Sequence, residues 1–207
     1  MNRSMKLDAI LYFVKYPEPG KVKTRLAKTL GFEKAAHLYR QLAEANLQIL
    51  APLHQANLLK VIIAFDPADR YEAMRTWLSP RYDYLPQKGT DLGERLRNAF
   101  HHAFNQGFHR VIAMGSDVLF LNSDLILQAF DELDTCDVAI GPARDGGYYL
   151  IGLSKETPLL FQNIPWSTAD VLASTLSSVQ DQHLSYSLLR ELEDVDQADN
   201  LSIRMQR

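Results

Sequence analysis

Four cations, Lys15, Lys21, Lys23 and Arg25, fall within eleven positions of a chain whose formal net charge is −3. They lie in the stretch Lys15-Tyr16-Pro17-Glu18-Pro19-Gly20-Lys21-Val22-Lys23-Thr24-Arg25-Leu26. Two prolines and Gly20 stop this stretch from extending either neighbouring element. Side-chain cations on a constrained loop, backed by the N-terminal amides of a following helix, can hold phosphate. The plainer alternative is a solvated basic loop.

Elements that would position this loop stand on both sides. Ala9 to Val14 is a continuous apolar run that reads as a buried strand, and Lys23 to Leu30 reads as a short helix ended by Gly31. Apolar residues at Ala36, Leu38, Tyr39, Leu42, Ala43, Leu47 and Leu50 describe an amphipathic helix over Glu33 to Leu50, with Pro52 expected to end it. Further strands are expected at Leu58–Phe65, Tyr82–Leu85, His109–Gly115, Asp137–Gly141 and Tyr148–Leu153. Helices are expected at Ala68–Leu78, from Asp91 to about Gln106, at Ser123–Leu133 and at about Ala169–Val179. Asp91 followed by Glu94 fits a reciprocally capped helix start.

Alternating strands and helices predict one α/β domain over residues 1–207, a three-layer α/β/α sandwich with a mostly parallel central sheet. In such sheets ligands gather beyond the carboxyl ends of the strands. The basic loop, Ser116-Asp117 and Arg144-Asp145-Gly146-Gly147 all fall there. Asp117 and Asp145 could share Mg2+ or Mn2+, which takes oxygen ligands and accepts some of them from substrate phosphates. The alternatives are a helix cap or loop acid for Asp117 and a turn acid for Asp145. Gly146 and Gly147 fit either a hairpin turn or the approach of a ligand to the backbone. Gln87 and Gly89, just past a strand end, could read and admit a nucleobase. Trp166 could stack on a sugar or an acceptor, or anchor the core.

Composition and motifs exclude several classes. With 46% hydrophobic and 23% charged residues and a mildly negative net charge, nothing favours a nucleic-acid or anionic-membrane surface. Cys136 is the only cysteine, so an internal disulfide or cysteine zinc cluster is ruled out, and a packed thiol is expected. The first apolar run is too short to span a bilayer and carries no cleavage pattern, so a cytoplasmic protein is expected. Lys23-Thr24 resembles the end of a Walker A loop, but Val22 and Pro17 stand where that motif requires glycine. His101 and His102 are adjacent on a helix and point apart. The acidic run from Glu191 is expected to be a solvated face.

The motifs also occur in a known order. Pro17 to Leu26, Asp91-Leu92-Gly93-Glu94-Arg95, Gly115-Ser116-Asp117, Gly141 to Gly152, Trp166-Ser167-Thr168 and Asp194-Val195-Asp196 resemble the radical-SAM/selenodomain-associated, arsenosugar-biosynthesis-type glycosyltransferases. That family lies in the GT-A, nucleotide-diphospho-sugar transferase superfamily, alongside molybdenum-cofactor guanylyltransferases. The resemblance covers nearly the whole chain and implies a nucleotide-sugar or NTP site. Lys23 and Arg25 would match phosphate-binding residues, with Lys15, Gly20, Thr24 and Arg95 beside them. Asp117 would match a metal-binding aspartate, and Asp145 the position before the double glycine. One departure stands out: Leu119 occupies a position usually held by proline, and Asp117 has no Asp-x-Asp partner.

The expected activity is sugar transfer from a nucleoside diphosphate to a small hydroxylated acceptor, with Asp145 as base or metal ligand. The alternatives are nucleotidyl transfer with pyrophosphate release and a non-catalytic nucleotide-binding module.

Overall fold

The computed structural model describes residues 7–192. The Asp194-Val195-Asp196 motif and most of the acidic run lie outside the described residues.

Strand β1 (Ala9–Lys15) runs near the middle of a seven-stranded sheet. Beyond it come β2 (Lys60–Asp66), β3 (Asp83–Pro86), β4 (Val111–Gly115), β5 (Val138–Pro142), β6 (Tyr148–Leu153) and β7 (Tyr186–Leu188). The order across the sheet is β3-β2-β1-β4-β6-β5-β7, and only β6 opposes its neighbours. The helices are α1 (Thr24–Leu30), α2 (Phe32–Gln55), α3 (Tyr71–Leu78), α4 (Leu92–Asn105), α5 (Ser123–Glu132) and α6 (Val171–Asp181).

The continuous apolar runs follow from burial on both faces. Along β1, Ile10, Tyr12 and Val14 pack into the core beneath α2, α3 and α5, while Ala9 and Leu11 pack with α4 on the other side. Val61, Ile63 and Phe65 of β2 repeat the first pattern, and Ile62 faces the second layer. The result is the α/β/α sandwich expected.

Several local expectations change. Helix α2 continues through Pro52 to Gln55. Pro52 is exposed in the last turn, so the carbonyl it fails to serve faces water, while buried Leu50 and Leu53 hold the turn in place. The helix expected from Ala68 opens as a 3-10 turn at Ala68–Arg70 before α3 begins. Helix α6 starts at Val171, and β7 is a short edge strand with no periodicity of its own to announce it. At the start of α4, Asp91 accepts from the Glu94 amide at 2.8 Å, but the Glu94 carboxylate reaches one residue further back, to Thr90 N and Oγ1 at 2.8 and 2.9 Å. Among the described residues no helix is long and apolar enough to cross a membrane.

Candidate functional site

Beyond the carboxyl ends of β1 and β4 lies a cavity of about 630 Å³. Five cations line it: Lys15, Lys21, Lys23, Arg25 and Arg95. Thr24, Gln87, Asp91, Asp117 and Ser167 complete much of its polar wall.

The basic loop is held from both ends. Tyr16 N donates to Asp66 O at 2.8 Å, and Gly20, in the left-handed region at φ 80°, turns the chain back. Val22 and Leu26 are buried on either side of Lys23. Lys23 itself has φ 45° as it starts α1, and Ser167 across the cavity has φ 67°. Non-glycine residues in this region are sparse, and at Lys23 and Ser167 the surrounding structure imposes the backbone. Lys23 Nζ lies 2.7 Å from Asp117 Oδ2, with the Lys23 side chain only 6% exposed and that of Asp117 32%.

Helix α2 fixes the segment bearing Asp117. Tyr39 Oη accepts from Lys15 N at 2.8 Å and shares a 2.8 Å hydrogen bond with Ser116 Oγ. Asn46 Nδ2 donates to Ser116 O at 3.1 Å and Val118 O at 3.0 Å. Burial, and then the nearby Asp117 carboxylate, push the Tyr39 phenol well above its ordinary range, so it remains a neutral strut. The sequence pattern marks Tyr39 only as an apolar helix position and does not single out Asn46. The available signal for Asn46 was a polar residue four positions after Leu42, on the buried stripe of α2.

At the β2 side, Arg95 lies 3.4 Å from Asp66 Oδ2 and 3.4 Å from Gln87 Oε1, and its Nε donates to Gly89 O at 3.2 Å. Gln87 Nε2 donates to Ala64 O at 2.8 Å. Gly89, at φ 141°, packs so closely on α4 that a Cβ there would come within 2.6 Å of Glu94 Cβ. Asp66 ends β2 much as Asp117 follows β4, and it joins this side of the site through Arg95.

The cavity thus gathers Lys15, Lys23, Thr24, Arg25, Gln87, Arg95 and Asp117 from the expected set. Gly20 shapes the loop, and Asp145, Gly146, Gly147 and Trp166 line other surroundings. Asp145 Oδ1 accepts from Gly147 N at 2.9 Å, a turn contact in the β5–β6 hairpin. Gly146 has φ 87°, and a Cβ on it would fall 2.1 Å from Ala169 O, so the hairpin tip closes against the segment before α6. Trp166 packs edge-on to Tyr148, ring centres 6.4 Å apart, and lies against Gly93. It also lines a second cavity of about 340 Å³ with Glu94 and Arg97, which shares Asp91 with the first.

The carboxylates of the main cavity are engaged separately, Asp91 in capping α4 and Asp117 with Lys23. No group of three or more His, Cys, Asp or Glu side chains able to hold a metal ion occurs among the described residues. The described carboxylates of this cavity would hold a divalent cation together with oxygens of a ligand's phosphates.

The architecture is that of the nucleotide-diphospho-sugar transferases. A provisionally named nucleotide-diphospho-sugar transferase from Desulfovibrio desulfuricans G20 is 42% identical, with a TM-score of 0.89 over 96% of this chain and 86% of that one. Glucosyl-3-phosphoglycerate synthase from Mycobacterium tuberculosis, solved with Mn2+, UDP and glucosyl-3-phosphoglycerate, is 11% identical. Its TM-score is 0.54, over 92% of this chain and 71% of that one. 4-Diphosphocytidyl-2C-methyl-D-erythritol synthase from Anaerococcus prevotii DSM 20548 is 12% identical, with a TM-score of 0.60 over 98% and 97%. The last two likenesses concern the fold. No curated protein matches the chain. Residues 49–168 match the family described as "Uncharacterized protein conserved in bacteria (DUF2064)", and the chain belongs to that family.

Proposed function

We propose that the protein is a single-domain transferase acting on a nucleotide-activated donor, moving a sugar from a nucleoside diphosphate to a small hydroxylated acceptor. The observation that carries this reading is the crowding of Lys15, Lys21, Lys23, Arg25 and Arg95 around one cavity at the carboxyl edge of the sheet. Like charges brought together repel, and an anionic ligand relieves that repulsion. As the bond from sugar to diphosphate breaks, negative charge builds on the leaving group. Cations already fixed there stabilise the transition state more than the ground state.

Lys23 and Arg25 would meet the phosphates, and Gln87 would border the nucleoside, while Gly89 packs on α4 behind the cavity wall. The second cavity, with Trp166 and Arg97, gives an acceptor a place beside the first. We assign no step to Asp145, whose carboxylate serves the hairpin turn. Mg2+ or Mn2+, implied by the family resemblance, would take Asp117 as ligand beside Lys23, whose Nζ lies on Oδ2, and would supply positive charge at the phosphates. The narrower placement among arsenosugar-type, radical-SAM-associated enzymes rests on motif order alone.

Five cations exceed what a diphosphate needs and would also suit a triphosphate, which favours nucleotidyl transfer as the second reading. The engagement of Asp117 by Lys23 is what a non-catalytic nucleotide-binding module would also show. Incubation with panels of NDP-sugars and NTPs, with and without Mg2+ or Mn2+, separates the three. Acceptor-dependent NDP release is expected; pyrophosphate release would transfer the assignment to nucleotidyl transfer. Thermal stabilisation without turnover across a broad acceptor panel would reduce it to a binding module.

A further inference from the structure

From the nucleotide reading above, on which this rests, we infer that the Lys23 ammonium occupies the role a divalent cation would otherwise have, so that the protein binds its diphosphate ligand without metal. The first ground is the contact itself. Lys23 Nζ sits 2.7 Å from Asp117 Oδ2, on the carboxylate that the family resemblance would assign to a metal, and its side chain is only 6% exposed. An ammonium there cancels the negative charge that Asp117 would otherwise turn toward a phosphate at the cavity wall.

The second ground is how firmly the two residues are brought together. Leu26, one turn after Lys23, packs with Leu42 and Leu119 in a small apolar cluster of its own. Leu119 is the residue standing two positions after Asp117, where the resembling family usually carries proline. The departure therefore supplies an apolar contact that ties α1 to the loop of Asp117, beside the ionic contact between the same two segments. From the other side, Asn46 holds the carbonyls of Ser116 and Val118 at 3.1 and 3.0 Å. The left-handed backbone at Lys23, φ 45°, directs the start of α1 within this frame.

The third ground is the donor set. Asp91 is committed to the Glu94 amide at 2.8 Å, and no cluster of three metal-ligating side chains occurs among the described residues. A divalent ion taken up by Asp117 Oδ1 would sit beside the Lys23 ammonium held on Oδ2, and the two positive charges would repel. Removing Lys23 would have the opposite result. Asp117 would then face the ligand's phosphates as an uncompensated negative charge, and a metal ion would be needed to bridge them.

Calorimetric titration of the full chain with inorganic pyrophosphate, and separately with UDP and GDP, tests this in EDTA and in Mg2+ or Mn2+. For the wild-type protein the affinities in EDTA and in metal should agree within about threefold, since the fixed ammonium already supplies the charge. Lys23→Met keeps the buried aliphatic volume and removes the charge. Its affinity in EDTA should fall by about fiftyfold or more, and Mn2+ should restore at least about tenfold of it. Wild-type binding that requires metal would overturn the inference while leaving the nucleotide site standing, and this arm needs no variant. Lys23→Met binding that Mn2+ does not improve would also overturn it. Failure of all three probes to bind in either condition would remove the nucleotide reading and the inference together.

Discussion

Two ion pairs stand at opposite ends of the same strands, and they differ in what surrounds them. At the amino ends of β1 and β4, Arg110 meets Asp8 through two contacts, Nη2 to Oδ2 at 2.6 Å and Nε to Oδ1 at 3.0 Å. Its Nη1 donates to Phe130 O at 2.7 Å and to Asp134 Oδ1 at 2.9 Å, while the guanidinium lies 5.5 Å from the Phe130 ring centre. A planar fork is matched almost donor for donor by protein acceptors, which describes a structural clamp. At the carboxyl ends, Lys23 and Asp117 form a point-charge pair on the wall of a cavity carrying Lys15, Lys21, Arg25 and Arg95 as well. Stability alone gives no reason to crowd like charges there. The first arrangement is complete within the chain, and the second is the one that the proposed function assigns to an anionic ligand.

Breaking the clamp should have the largest effect on folding and almost none on binding. Arg110 and Asp8 side chains are 19% and 12% exposed, so Arg110→Ala leaves a largely buried carboxylate without its partner. A loss of about 3 kcal/mol is expected, less than a fully buried pair would give, with the exposed Asp134 contact adding little. Denaturant titration measures it. Affinity for pyrophosphate per folded molecule should remain within about twofold of wild type, because no ligand-facing charge has changed. A large affinity loss would erase the contrast between the two ends.

Removing charge at the cavity should do the reverse. Lys23→Ala with Arg25→Ala should weaken pyrophosphate and nucleoside diphosphate binding in EDTA by about a hundredfold, or about 2.7 kcal/mol, from two lost charge-assisted contacts. Far-ultraviolet circular dichroism should be unchanged, since Arg25 is exposed and Val22 and Leu26 still anchor the loop. Unchanged affinity by calorimetry would sink the central reading of the cavity.

The contrast also explains how much of the molecule could be read from its sequence. Runs such as Val61-Ile62-Ile63-Ala64-Phe65 are legible because both faces of a parallel strand are covered, so period and composition agree. The cationic loop is legible because residue type and turn chemistry coincide within a few positions. What stays hidden is assembled from distant segments. The pairing of Lys23 with Asp117 depends on β1 and β4 being neighbours, which no local pattern states. Tyr39 counts as an apolar helix residue until its hydroxyl is seen between Lys15 and Ser116. Asp145 and Gly146 read equally as turn or ligand site. The turn contacts are settled only by Gly147 N and the approach of Ala169. Pro52 and β7 fail for a simpler reason, because exposure decides the first and the sheet edge the second.

A milder change to the cavity end tests whether α2 positions Asp117. Asn46 is 1% exposed, and Asn46→Ala strands two carbonyls in the interior. About 2 kcal/mol of stability should be lost, together with about a fivefold loss in pyrophosphate affinity as the loop loosens. A stability loss with unchanged affinity would show that the loop holds its place by apolar packing of Leu119 alone.

Tyr39→Phe should give the smallest effect, about 1 kcal/mol, because the ring stays packed while Lys15 N and Ser116 Oγ lose a partner. The pH dependence sharpens this. The folded-state pKa of Tyr39 lies above the ordinary value of 10.0, raised first by burial and then by Asp117. A raised pKa means that the unfolded chain releases the phenolic proton first. The stability tied to the neutral phenol is therefore fully present below about pH 10 and declines as pH rises beyond it. Tyr12, Tyr84, Tyr148 and Tyr149 are shifted in the same direction, so the wild-type protein should lose stability steeply above pH 10. Tyr39→Phe should lose it less steeply, by the share of one phenol. Parallel curves for the two proteins, measured by denaturant titration from pH 8 upward, would mean that Tyr39 ionises in place. The Asp117 carboxylate would then not govern the strut that holds its own loop.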